Sequence, residues 1–340
     1  YTSGTTGKPK GAMLTHNNLA MNAVQCARMV QLSYRDCFMC LLPMFHSFAW
    51  TVCVLVPLYL GSPIVVVESV LPFGPVLRQI FRRRVKIFVA VPPIYAALLR
   101  VPFWRPLRWL NPVRLCISGA AALPGPILEA FEAKFDIPLL EGYGLTEASP
   151  VVTLNPERER RKGSVGKPLP GIDIRIVHDL GHDQPAGEVG EICVRGDNVM
   201  LGYYHHDEAT QAVFLDEPKR WLRTGDLGFM DSQGYLHISD RKKDLIIVKG
   251  MNVYPKEVED ILLNHPAVDE AAVIGVRDET GDELIQAFVT LKPGTQADKT
   301  ELMKLCRTRL AGYKCPKEIE IRTDLPKNTL GKILKRELRK

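Results

Sequence analysis

Apolar positions along the chain fall into two textures. Up to about residue 144, short apolar runs alternate with helical spacing. Leu19, Ala23, Cys26, Ala27 and Val30 recur at three- and four-residue intervals behind Thr15, which predicts a capped helix. The runs at 64–67, 87–90 and 113–117 read as buried strands, with helices expected near 75–84, 93–100 and 124–135. Buried runs separated by helices point to an α/β class with a doubly wound, mostly parallel sheet. From 163 to 240 the texture changes to short alternating strands, such as 173–177 and 190–194, between Gly and Pro turns. This predicts a small β-rich subdomain. Asp240-Arg241-Lys242-Lys243-Asp244 is a run of charge, read as a solvated linker. Beyond it come a strand, a helix (256–264), two strands (270–276 and 284–291), a helix (298–310), a strand and a short helix, a compact α+β domain. The expected division is therefore 1–240, with an α/β part at 1–150 and a β-rich part at 163–240, followed by a mobile domain at 241–340.

Composition agrees with a folded chain. Of 340 residues, 46% are hydrophobic and 24% charged, which excludes a disordered protein. The net charge of +6 is compatible with anionic small molecules and argues weakly for nucleic acid. The last hundred residues hold 20 Lys or Arg against 16 Asp or Glu, so most of the excess lies there. No charged side chain occurs from Cys37 to Val67, but Pro43, His46, Pro57 and the Gly61-Ser62-Pro63 triplet interrupt the run. Its cleanest piece, 48–60, is far short of the ~20 residues of a spanning helix. Core is the better reading. Eight scattered cysteines include one close pair, Cys37 and Cys40, without partners at zinc-ligand spacing. Reduced thiols in a cytoplasmic protein are expected. The chain opens on Tyr1 rather than Met, which reads as a fragment or a processed chain.

The most informative stretch is the first eleven residues, Tyr-Thr-Ser-Gly-Thr-Thr-Gly-Lys-Pro-Lys-Gly. Backbone N–H groups and hydroxyls in such a loop can donate to a polyphosphate while lysines neutralise it. The Walker A pattern is excluded, because Thr2 stands where its first Gly belongs and Pro9 where its Ser or Thr belongs. By composition alone, a surface Gly/Thr loop fits as well. In its full spelling, however, this run closely resembles the phosphate loop of the adenylate-forming superfamily. That superfamily includes acyl-CoA synthetases, coumarate ligases, firefly luciferases and peptide-synthetase adenylation domains.

Further segments resemble the superfamily's motifs in the same order. The resemblance implies phosphate contacts from Thr2, Ser3, Gly4, Thr5, Thr6 and Lys10, with Thr2 also near a magnesium ion. His46, in Pro-Met-Phe-His-Ser-Phe, resembles an aromatic-His segment lining the acyl pocket; on its own it would be a core or capping histidine. Ala120, in Ser-Gly-Ala-Ala, lies in the turn against which the adenylate would pack. Glu141-Gly142-Tyr143-Gly144-Leu145-Thr146-Glu147 resembles the adenine and magnesium motif, with Tyr143 stacking, Thr146 on the nucleotide and Glu147 on Mg²⁺. Thr224-Gly225-Asp226 resembles the ribose motif, and Asp240-Arg241 with Lys243 the hinge, Arg241 also reaching the ribose. Lys249-Gly250 resembles the loop that meets CoA, and Lys332, after Asn328-Thr329-Leu330-Gly331, the adenylation lysine. The superfamily also carries a subdomain of more than a hundred residues ahead of the phosphate loop, so the resemblance implies that a fragment without that subdomain is to be expected here.

The resemblance implies a magnesium- and ATP-dependent acid–thiol ligase, closest in spelling to the fatty-acid branch. It would make an acyl adenylate, release pyrophosphate, and transfer the acyl group to CoA with release of AMP. Transfer to a carrier protein is the alternative within the superfamily, and a truncated nucleotide-binding fragment is the alternative outside it. The expected partners are a small carboxylic acid, ATP and CoA, with no nucleic acid and no transmembrane segment. Peripheral membrane contact and oligomeric state stay open. No cysteine has a base and orienting partner, so no acyl-enzyme is expected.

Overall fold

The computed structural model describes residues 1–2, 9–101, 111–215, 220–277, 283–328 and 331–339. The chain divides into two compact units, one of residues 1–224 and 228–238, the other of 225–227 and 239–340.

A seven-stranded sheet organises the first unit. Its order is Ile64–Val66, Cys37–Cys40, Val85–Ala90, Leu115–Ser118, Leu139–Gly144, Val151–Leu154 and Lys167–Pro168. The first five strands run parallel, Val151–Leu154 runs against them, and Lys167–Pro168 pairs antiparallel with Val151–Leu154. The α/β class and mostly parallel sheet follow the sequence pattern. So do the helices, with boundaries a residue or two away: Phe73–Arg83, Pro92–Arg100 and Gly125–Phe135. The helix His16–Met29 begins at Thr15 with a reciprocal cap, Thr15 Oγ1 accepting from the Asn18 N–H and Asn18 Oδ1 from the Thr15 N–H. Its buried Asn22 both donates to the Val151 carbonyl (2.7 Å) and accepts from the Val151 N–H (3.1 Å), docking the helix on the strand that follows Glu147. Tyr95 is fully buried, and its hydroxyl donates to the carbonyls of Phe88 (3.2 Å) and Ile117 (2.9 Å), tying two parallel strands together.

The uncharged stretch is core, as expected. Cys37–Cys40 is a wholly buried inner strand, and helical turns follow over Ser47–Ala49, Trp50–Leu55 and Val56–Leu60, the middle piece wound as a π-helix. No helix among the described residues is long and apolar enough to cross a membrane. Seven of the eight cysteines are free and buried, and Cys315 is partly exposed. The β-rich region forms a five-stranded sheet built on the strand Trp221–Met230, which pairs with Phe214–Leu215, Gly190–Arg195 and Leu236–Arg241.

The second unit has its own core. The strands Val268–Arg277 and Glu283–Leu291 are antiparallel, and Glu318–Arg322 joins the second in parallel. Val258 and Leu262 of the helix Pro255–Leu263, and Leu302 and Cys306 of the helix Lys299–Arg309, bury their side chains with Val273, Ala287 and Val289. Ile246–Val248 and Met251–Val253 form a hairpin whose two turn residues, Lys249 and Gly250, have φ of 49° and 79°. That conformation suits the right-handed twist of the strands and favours glycine at the second position.

Candidate active site

In the first unit, the glycine- and threonine-rich start is closed at its base. Thr2 and Lys10 exchange backbone hydrogen bonds of 2.8 Å. Ser3, Gly4, Thr5 and Thr6 lie outside the described residues. Just after Lys10, Ala12–Met13 pairs with Gly202–Tyr203, and the Gly11 carbonyl accepts from the Tyr204 N–H. This pairing sets the Lys10 ammonium 5.1 Å from the centre of the Tyr203 ring. The hydroxyl of Tyr203 donates to Glu147 Oε1 at 2.8 Å, and burial followed by the nearby Glu147 charge raises its pKa. Lys10, Tyr203 and Glu147 thus form one chain of contacts.

Sequence reasoning overlooked Tyr203. Its only signal was an aromatic pair after Gly202, far from any recognised motif. Replacing Tyr203 by Phe keeps the ring under Lys10 and removes the hydroxyl that donates to the Glu147 carboxylate. Denaturant unfolding should show a loss of about 1–3 kcal/mol. An unchanged midpoint would mean that Tyr203 does not hold Glu147.

Glu147 lies in a single 3₁₀ turn, Thr146–Ala148, directly after the strand Leu139–Gly144. Thr146 Oγ1 is 3.2 Å from Ser47 Oγ, so the aromatic-His segment meets the Thr-Glu turn. His46 caps the helical turn that Ser47 begins. Its Nδ1 accepts from the Phe48 N–H at 3.2 Å, and burial lowers its pKa. The histidine therefore has a structural duty whatever else it does.

Glu141 is 8% exposed, and its Oε1 accepts from the Leu123 N–H at 2.9 Å. It fastens the turn containing Ala120 (φ 66°) to the strand carrying Tyr143. A cleft of about 230 Å³ opens beside it, lined also by Leu128, Leu139, Asn155, Ser164, Arg158 and Arg161.

Among the described residues no three His, Cys, Asp or Glu converge as a metal cage. Magnesium needs none. It takes one or two carboxylates and completes its shell with water and phosphate oxygens. The buried Glu147 carboxylate is a hard-oxygen donor of the kind such an ion takes. For Thr2 the structure gives only the backbone pairing with Lys10.

In the second unit, Arg241 Nε is 3.2 Å from Asp226 Oδ1, so the ribose-motif carboxylate and the hinge arginine meet as an ion pair. Lys332 shares their surroundings. Its pKa is lowered to about 8, first by burial, then by Arg241 and Lys243, against the pull of Asp226 and Asp244. Burial likewise lowers Lys243. Lys249 and Gly250 occupy their hairpin turn, both exposed.

The charge run beginning at Asp240 departs from the solvated linker expected of it. Asp240 is 7% exposed and accepts from two backbone N–H groups, those of Arg241 and Lys256, each at 2.7 Å. A carboxylate with two such donors is an anchor rather than a free charge. Lys242–Asp244 continues as a single 3₁₀ turn.

Comparison with known proteins gives consistent results. A family model described as AMP-binding enzyme matches residues 1–204, and one described as AMP-binding enzyme C-terminal domain matches 257–332. The chain is 41% identical to a long-chain-fatty-acid–CoA ligase of Bacillus subtilis, over 99% of the chain and 60% of that relative. It is 40% identical to a feruloyl-CoA synthase of Amycolatopsis, over the whole chain and 68% of that relative. The chain thus spans about 60% of the length of the fatty-acid ligases it matches. Among solved structures, ATP-bound MatB from Rhodopseudomonas palustris superposes with a TM-score of 0.92 at 36% identity, over the whole chain and 66% of that structure. The O-succinylbenzoate CoA synthetase of B. subtilis, in complex with ATP and magnesium ion, gives 0.89 at 35%, covering 69% of that structure.

Proposed function

The chain belongs to the AMP-binding enzyme family, and from that premise we propose that it serves an AMP-forming acid–thiol ligase acting on a fatty or other hydrophobic carboxylic acid. The first half-reaction joins the acid to the α-phosphate of ATP and releases pyrophosphate; the second passes the acyl group to CoA and releases AMP. The observation that carries this reading is in the second unit, where Arg241 and Asp226 meet as an ion pair and their charges act on the enclosed Lys332. They join a cation suited to a phosphate with a carboxylate suited to a sugar diol. The relatives' names support the thiol acceptor and the class of acid.

The chemistry follows from charge. A carboxylate attacking an α-phosphate brings two anions together, so positioning and neutralisation supply most of the catalysis. In this reading, backbone groups at Thr2, Ser3, Gly4, Thr5 and Thr6 hold the phosphates, and Lys10 adds charge at the base of the loop. Tyr143 stacks on the adenine, Glu141, Gly142 and Ala120 frame it, and Thr146 contacts the nucleotide. Asp226 accepts from the ribose hydroxyls, with Arg241 alongside. Glu147 and Thr2 would hold a magnesium ion, which when bound would supply neutralising charge to the phosphates. Lys332 stabilises the charge that develops between the carboxylate and the α-phosphate, and Lys243 adds to that positive field. His46 and the apolar stretch after it line the acyl pocket, and Lys249-Gly250 meets CoA. The domain at 241–340 turns about Asp240–Lys243 between the two half-reactions.

Mass spectrometry of the products after incubation with Mg-ATP, CoA and a panel of carboxylic acids tests the assignment. AMP, pyrophosphate and an acyl-CoA are expected. Release of ADP or inorganic phosphate without thioester would overturn it.

A further inference from the structure

Lys332 sits on a short loop near the end of the chain, and the segment just after it is pinned at three places. Three residues on, Lys335 Nζ lies 2.7 Å from Glu259 Oε1 on the helix Pro255–Leu263. Both side chains are largely enclosed, at 19% and 15% exposure. The same Glu259 oxygen accepts from the Val273 N–H at 2.8 Å, so this carboxylate joins helix, sheet and terminal segment in one contact. Leu338 is buried with Ala272, Ile274, Phe288 and Leu325, and Arg339 reaches Asp244 at 3.0 Å. On the near side, Lys327 pairs with Glu270 at 2.8 Å and forms a bridge with Ile333.

We propose that the Glu259–Lys335 ion pair is a positioning device for Lys332, fixing the stretch from Gly331 to Leu334 that carries it. Of the three tethers after Lys332, it lies nearest along the chain and is the only enclosed ion pair. The alternative role, bulk stability of the unit, would spread through the sheet that supplies Val273. Positioning would instead be felt in the loop. The N–H groups of Gly331 (to Asn328 O, 2.9 Å), Lys332 (to Asn328 Oδ1, 2.9 Å) and Leu334 (to Pro326 O, 2.8 Å) report directly on that loop. The functional meaning of the device rests on the role proposed for Lys332, but its existence does not.

The test is amide hydrogen exchange on the full chain, parental and variant. Glu259→Gln keeps an acceptor for Val273 and removes the charge; Lys335→Met removes the other charge; Lys335→Arg preserves the pair. Glu259→Gln and Lys335→Met should each speed exchange at Gly331, Lys332 and Leu334 by roughly tenfold or more while the strand Glu283–Leu291 is unmoved, and Lys335→Arg should exchange as the parent. Unchanged loop exchange in both charge-removing variants would overturn the proposal, and so would a uniform rise across loop and sheet. If Glu259→Gln folds poorly, Lys335→Met decides alone. A parallel assay separates this from the proposed chemistry. The loosened variants should lose kcat for acyl-adenylate formation with little change in the KM for ATP, while thioester formation from supplied acyl adenylate stays near parental. Loosening with equal loss in both half-reactions would count against the role of Lys332 and leave the positioning device standing.

Discussion

Lys332→Ala is expected to slow acyl-adenylate formation by roughly 10²–10³-fold, the scale for removing one preorganised charge-stabilising group. Supplied with synthetic acyl adenylate and CoA, the same variant should still form thioester, because the charge that would develop between carboxylate and α-phosphate belongs to the first half-reaction only. The depressed pKa adds a second signature. Burial is the main cause, so the ammonium is present below about pH 8 and is lost above it. Adenylation should therefore fall as pH rises through about 8, and thioester formation from supplied adenylate should lack that limb. Lys332→Arg should lack it as well, since a guanidinium stays charged. The stability consequence has its own sign. With the folded value below the ordinary 10.5, the unfolded chain binds more protons between about pH 8 and 10.5, and this residue's contribution to stability rises with pH across that window. Equal loss of both half-reactions in Lys332→Ala would refute the division of labour.

Gly144→Ala should destabilise the first unit by roughly 3 kcal/mol, the upper part of the range for overpacking. A Cβ at Gly144 would lie 2.3 Å from the Pro150 carbonyl oxygen and 2.8 Å from its carbon. Both are backbone atoms and cannot rotate away, so the strand Leu139–Gly144 would have to shift, and it carries Glu141 and Tyr143. Gly74→Ala is the control, since a Cβ there meets nothing within 4 Å and alanine is the better helix former. Denaturant unfolding of the two variants gives the comparison. A Gly144→Ala variant as stable as Gly74→Ala would mean that this close approach costs nothing.

Much of this fold was legible in the chain because local signals agreed with the tertiary arrangement. Thr15 announced its helix, and β-branched runs such as Ile64–Val66 announced strands. The inner strand Cys37–Cys40 was not legible, because Cys-Phe-Met-Cys has neither β-branched residues nor alternation, and its burial comes from parallel neighbours on both sides. The order of site motifs was legible through resemblance, but their mutual contacts were not. Tyr203 meets Glu147 through the pairing of Gly202–Tyr203 with Ala12–Met13, a contact across most of the unit's length. Asp240 was misread for a related reason. Five consecutive charges look solvated in a sequence, and only the fold supplies the Arg241 and Lys256 amides that enclose the first of them.

In the proposed first half-reaction a carboxylate oxygen becomes bonded to the α-phosphorus of ATP. Turnover of an acid labelled with ¹⁸O in both carboxyl oxygens, with unlabelled ATP and CoA, tests it most directly. Attack on phosphorus followed by thiol displacement at the acyl carbon leaves one labelled oxygen in the thioester and one in the phosphate of AMP. The account predicts AMP carrying a single ¹⁸O in step with acyl-CoA formed. Acyl-CoA formed alongside unlabelled AMP, or label appearing in inorganic phosphate, would contradict it.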